Sequence, residues 1–238
     1  MNIFTRLFKV STTGTKIKIL AFAIFSNMAF ADSESLQKLF KEYNVSKDKQ
    51  EYINKECNKE VLKDNFKDLS KIEQIYEFEV ARIDCEVQNL GEVLGSTQGI
   101  LASLNYGYDE YDKLLNKYYK LYRAEVKKQN KTTPTGAFSH EPSIQKGQDT
   151  LLEEQRAWLK LRDSYEAYIR KHHAHIYDIN GGGTIYSIEA SNARLTLLKK
   201  RVEELFKRYV AISTGGNIDF YNMFDVLWKV VEIYRLKS

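Results

Sequence analysis

Glu154-Gln155-Arg156-Ala157-Trp158-Leu159-Lys160-Leu161-Arg162-Asp163 is the stretch whose reading decides the fold. Gln155, Trp158 and Arg162 stand at i, i+3 and i+7, so on a helix they share one face. A face that carries Trp normally turns inward. The Gln and the Arg on it must then find hydrogen-bond partners or bear a desolvation cost. Such a face belongs to a helix inside a helical assembly, tied to its neighbours by a specified polar network.

The same periodicity continues on both sides. Downstream, a Gly181-Gly182-Gly183 break separates the Trp158 helix, expected to run towards Lys171, from a helix over about 187–212 built on Leu195, Leu198, Val202 and Leu205. After Gly215-Gly216 a last helix is expected over 218–235. Upstream, Thr150 to Glu153 reads as a capping box that starts the Trp158 helix, preceded by a long connection over 129–148 that contains Pro134, Gly136 and Pro142. Before it, Tyr111, Leu114, Leu115, Tyr118, Leu121 and Tyr122 mark a helix ending near Lys128. Ala102 to Asn105 is readable either as its first turn or as a loop. A helix over about 70–90 opens on a second capping box, Ser70 to Glu73, and Gly91, Gly95 and Gly99 loosen the chain after it. A single polar helix over 46–66 and a short amphipathic one over 33–43 complete the N-terminal side. With only two prolines and abundant Lys, Glu, Leu and Tyr, the class is all-α: a multi-helix bundle with an N-terminal helical extension and a C-terminal helix packed on the same core.

The first 31 residues read as a signal peptide. Arg6, Lys9, Lys16 and Lys18 precede the apolar run Ile19 to Phe25, and Ala29-Phe30-Ala31 supplies a small-x-small cleavage site, so the mature chain is expected to begin at Asp32. The alternative is an uncleaved N-terminal anchor. No later stretch approaches the length of an apolar membrane span. The leader also accounts for the formal charge of +4, because residues 1–31 carry basic groups and no acidic ones. Without it, basic and acidic side chains are equal in number, which argues against nucleic acid as a partner. Export favours a disulfide between Cys57 and Cys85, the chain's two cysteines. Their sequence midpoint falls beside the Ser70 helix start, as expected for an antiparallel helix pair, and the bridge is worth roughly 3–4 kcal/mol in the chain-entropy model. Two separate buried thiols are the other reading.

The order of these features resembles the LprI-like lysozyme-inhibitor N-terminal family of secreted bacterial domains. Asp112 to Tyr119, with Leu115-Asn116 followed by Tyr119, is similar to its first helical signature. Gln155, Trp158, Arg162 and Asp163 are similar to its second, and Gly181 to Gly183 with Leu195-Thr196 and Arg201 follow its later turn and helix. The resemblance covers roughly 81–205, and the chain is expected to divide into a leader (1–31), an N-terminal helical extension (32–80), an LprI-like domain (81–206) and a C-terminal helix (207–238). Many members carry a cysteine where this chain has Glu166, and the later helix has none either, so Cys57 and Cys85 staple the upstream extension instead. The resemblance implies a periplasmic or secreted, non-enzymatic binding protein, and for some members inhibition of lysozyme. An envelope structural or protein-interaction module without a hydrolase target is the alternative.

Chemistry-bearing patterns are sparse. His172, His173 and His175 with Asp178 are the leading metal candidates, but their spacing completes no diagnostic ligand set, and a solvated helix end explains them. The glycine run matches neither phosphate-binding pattern. Glu153, Glu154 and Asp163 show no pairing that would mark an acid/base couple, and Ser164 lacks a nucleophile context. No enzyme, cofactor or metal is expected. Asn116, Tyr119, Gln155, Trp158, Arg162 and Asp163 are expected to be structural, with Asn116, Gln155 and Arg162 tying adjacent helices. Lys131 to His140 or Tyr177 to Thr184 is the expected contact loop for a lysozyme-like hydrolase or another envelope protein.

Overall fold

The computed structural model describes residues 34–132, 143–181 and 183–214. Among them the chain is all-α: α1 (Glu34–Glu42), α2 (Lys47–Glu56), a single turn α3 (Lys59–Leu62) that runs into a 3-10 turn (Lys63–Phe66), α4 (Lys71–Leu94), α5 (Thr97–Thr132), α6 (Ser143–Asn180) and α7 (Ile185–Ser213). The leader and the helix expected over 218–235, with its packing on the core, lie outside the described residues.

Local chemistry explains most of the boundaries. Ser70 accepts from the backbone of Glu73, whose carboxylate receives the Ser70 N–H, so the capping box expected at the start of α4 is formed. The α4–α5 turn takes two residues. Gly95 closes α4 in the left-handed region at φ 60 and Ser96 Oγ accepts the Gly99 N–H at 3.0 Å to open α5. Ala102 to Asn105 therefore lies well inside α5.

Three expectations on the helices change. The polar helix over 46–66 breaks after Cys57, where Asn58 Oδ1 caps a new turn through the Val61 N–H at 3.0 Å. The Thr150 capping pattern starts nothing: α6 begins seven residues earlier, at Ser143. A capping box is a local preference, and Leu151, buried beside it, is already held by the core. At its other end α6 runs on past Lys171 to Asn180, since no Gly or Pro interrupts it before Gly181, which sits at φ 73. The expected connection over 129–148 correspondingly shrinks to residues 133–142, outside the described ones.

Side-chain pairings set the topology. Glu86 meets Tyr106 and Glu79 meets Tyr118, so α4 and α5 are antiparallel. Thr97 meets Thr184, Tyr111 shares Asp84 with Lys199, and Tyr118 meets Phe206, so α5 and α7 run parallel, with α6 returning between them. The principal core lies along α4, α5 and α7 around Ile83, Tyr111, Leu115, Leu198, Val202 and Leu205, closed at one end by α6 through Leu151 and Trp158. Tyr76 stacks on Phe206 at 3.8 Å, and Tyr118 meets both rings edge-on. α4 and α7 pack closely on α5 at Gly107, where a Cβ would lie 2.6 Å from Val87 Cγ2 and 3.3 Å from Leu195 Cδ2.

A second cluster joins the N-terminal helices to α4 and α5. Leu36 and Phe40 of α1, Val45, Ile53 of α2 and Cys57 pack with Leu90 and Tyr106. The expected Cys57–Cys85 disulfide is formed, with the α carbons 5.6 Å apart. Asn89 Nδ2 donates to the Cys85 carbonyl at 2.9 Å and to its sulfur at 3.4 Å.

Candidate functional site

The face that decides the fold is anchored from α7. Gln155 is buried, and its Oε1 accepts from Arg201 Nη2 at 2.9 Å. Arg201, 4% exposed, also donates through Nη1 to Glu154 Oε1 at 2.9 Å and Glu204 Oε2 at 2.8 Å. Arg208 closes the ring, reaching both oxygens of Glu154 at 2.8 Å and Glu204 Oε1 at 2.5 Å. Two guanidiniums face two carboxylates, so the assembly is neutral in place. Burial disfavours the Arg208 cation, yet Glu204 and Glu154 more than offset this and raise its pKa above the ordinary value. Two guanidinium groups approach the Trp158 ring, Arg201 at 5.6 Å and Arg162 at 5.8 Å from its centroid.

The other motif residues do not join this clamp. Arg162 forks onto its neighbour Asp163 at 2.9 and 3.0 Å and touches the network through the Trp158 ring. Asn116 is exposed and donates to Asp112 of its own helix, so it ties no helices together. Tyr119 is half-buried against the core. Helical spacing identified a face but not which of its polar members look inward: Gln155 is buried against Arg201, whereas Arg162 turns to exposed Asp163. The clamp's α7 half was readable in part, since Arg201, Glu204 and Arg208 share one helix face at i, i+3 and i+7.

Glu166, at the position where the resemblance led one to expect a cysteine, bridges three helices. It accepts from Tyr108 OH of α5 at 2.9 Å and faces Arg194 of α7 at 3.4 Å, with the Arg194 guanidinium over the Tyr108 ring at 4.8 Å. A second buried cluster, missed in the sequence, lies under the N-terminal helices. Glu86 accepts from Arg82 at 2.8 Å and from Tyr106 OH at 2.5 Å. Glu110 meets Arg82 at 3.7 Å and Lys113 at 2.5 Å, and Lys113 in turn reaches Ser35 of α1. Burial pushes the Glu86 carboxyl above the ordinary range against the pull of Arg82 and Tyr106. These carboxylates are engaged by fixed partners within the fold.

The histidines lie along the distal part of α6. His172 stacks on Tyr168 at 5.5 Å, His173 faces Tyr186 at 6.3 Å, and His175 and Asp178 are exposed. Among the described residues no cluster of three metal-ligating side chains forms. Beyond them the α6–α7 turn presents Tyr177, Ile179 and Ile185, which are 55%, 67% and 54% exposed. The turn is braced from behind: Asn180 Nδ2 donates to Tyr186 OH at 2.8 Å, and Thr184 meets Thr97 at 3.3 Å. Of the other expected contact loop, 133–140 lies outside the described residues. An open groove of about 520 Å3 runs between α1 and α5, past Lys38, Tyr43, Asn105 and Asp109.

Residues 93–205, from the end of α4 through most of α7, match the family model described as Lysozyme inhibitor LprI. The resemblance read from the sequence is thereby shown. The match takes in Gln155, Trp158, Glu166, Arg201 and the α6–α7 turn, and leaves out both cysteines. No curated protein and no solved structure matches the chain.

Proposed function

We propose, from the LprI family match over 93–205, that this protein is an exported, non-enzymatic inhibitor of a lysozyme-like cell-wall hydrolase. Its contact element is the α6–α7 turn, and the periplasm or the exterior is its place of work. The observation that carries the reading is the concentration of exposed apolar side chains at Tyr177, Ile179 and Ile185 around a glycine turn on a braced helical hairpin. A partner's cleft takes such a projection well, because the apolar area is presented at low conformational cost and the glycines allow close backbone approach. No helix among the described residues is long and apolar enough to cross a membrane. The balanced charge beyond residue 31 supplies no general attraction to a cationic enzyme, so recognition rests on the local fit at the turn.

The test is a muramidase assay with the purified protein against a panel of lysozymes. Saturable inhibition is expected. Tyr177→Ala should weaken it at least about tenfold, the scale of an aromatic anchor, while the helical circular dichroism stays unchanged. Absence of binding and inhibition across the panel rejects the reading and favours an envelope interaction module without a hydrolase target.

A further inference from the structure

We propose that the distal half of α6 is a self-association surface on which a second copy of this chain docks in the antiparallel sense. Leu161, Tyr165, Tyr168, His172, His175 and Ile179 recur at intervals of four, three, four, three and four. This is the alternation that keeps a single seam on a helix facing a partner helix. The face of α6 that packs within the molecule is a different one, carried by Glu166, Ile169, His173 and Asn180. It lies roughly a quarter of a turn away. Along the seam Leu161 is 38%, Tyr168 40% and Ile179 67% exposed, and the ring of Tyr168 is set by its stack on His172.

Charge selects the occupant and its direction. Lys171 and Asp178, both exposed, flank the seam on its outer side seven residues apart. A two-fold antiparallel pairing that sets Tyr168 against Ile179 of the second copy, and His172 against His175, also brings Lys171 of each copy beside Asp178 of the other. A parallel pairing places the same lysine opposite the apolar flank of Ile176. Self-complementarity of this kind, one patch carrying both halves of each contact, is the requirement for a closed two-fold dimer. The seam is about 27 Å long at 1.5 Å per residue, which gives an interface at the small end of specific ones, below roughly 1,200 Å2, and hence a concentration-dependent dimer. Tyr177 projects from the opposite side of α6, so a dimer that covers Ile179 still leaves Tyr177 free for another partner.

Sedimentation equilibrium of the purified protein, from low to high micromolar concentration, tests the proposal without reference to any hydrolase. The mean mass is expected to climb towards twice that of the monomer. Ile179→Asp, a change at an exposed position, and Lys171→Glu should each hold it near the monomer, and Lys171→Glu with Asp178→Lys should restore the rise. A mass that stays monomeric throughout overturns the proposal, as does wild-type-like association of both single variants. Failure of the double charge exchange to rescue overturns the antiparallel register. A monomer whose Leu161 and Tyr168 amides become protected only when a lysozyme is added assigns the seam to that partner instead.

Discussion

Trp158 and its three polar neighbours show how much of a site one helix face can disclose. Spacing alone puts Gln155, Trp158 and Arg162 together, but the group that organises them, Arg201, comes from 46 residues away, and periodicity says nothing about what stands opposite a face. The two arginines beside the ring should therefore behave differently. Arg201→Met leaves Glu154, Glu204 and Gln155 facing an apolar side chain in a largely buried place, and should cost about 3 kcal/mol, at the lower end for breaking a buried pair because both Glu carboxylates retain Arg208. Arg162→Met removes an ion pair to exposed Asp163 and should change stability by less than about 1 kcal/mol. Urea unfolding of the two variants separates them. Equal costs contradict the placement of the clamp on α7. Trp158→Ala, which removes a half-buried ring, should cost about 3 kcal/mol, the low end for such truncations.

Among the elements, helices were legible where local chemistry and packing agree, as at Ser70. They were misread where local chemistry spoke alone, as at Thr150, whose capping pattern the packed Leu151 overrides. Gly107 is the opposite case. A glycine inside a helix is intrinsically destabilising, yet in the fold Gly107 sits where α5 packs against Val87 of α4 and Leu195 of α7. Gly107→Ala gains up to about 1 kcal/mol of helix propensity. However, its methyl meets the stiff, β-branched Val87 on α4 and Leu195 on α7, and overpacking of that kind costs about 1–3 kcal/mol. A net loss of stability is expected, and a higher thermal midpoint for the variant contradicts the tight crossing. The Cys57–Cys85 pairing was legible because the export expected from the N-terminal pattern and the cysteine number point the same way, whereas the break of α2 at Cys57 was not, since nothing in the periodicity changes there. Reduction should lower stability by about 3 kcal/mol. It should also raise amide exchange first in α1 and α2, whose apolar residues form a cluster separate from the principal core.

Across the whole molecule the helices are cross-linked by tyrosines that donate to carboxylates: Tyr106 to Glu86, Tyr108 to Glu166, Tyr111 to Asp84 and Tyr118 to Glu79. These bonds join α4 to α5 three times and α5 to α6 once, and composition had offered only an abundance of both residue types. Burial, and then the adjacent carboxylate charge and hydrogen bond, push all four phenols above the ordinary tyrosine value near 10; for Tyr108 the hydrogen bond outweighs the charge. Since the folded pKa lies above the unfolded one, the contribution is fully present below about pH 10 and is lost as the pH climbs further, when the unfolded chain ionises and the folded one does not. The carboxyls of buried Glu86 and half-buried Glu77 are also raised, so their contribution is present below the unfolded carboxylate pKa near 4 and is lost as the pH rises through their folded values. These two groups alone therefore favour acid over neutral solution. The thermal midpoint should consequently fall steeply above pH 10, and a Tyr111→Phe, Tyr118→Phe double variant should fall less steeply there, although its midpoint at pH 7 is lower because Asp84 and Glu79 each lose a donor. Equal alkaline slopes for the variant and the parent protein would sink the assignment of these phenols as cross-links held protonated in the fold.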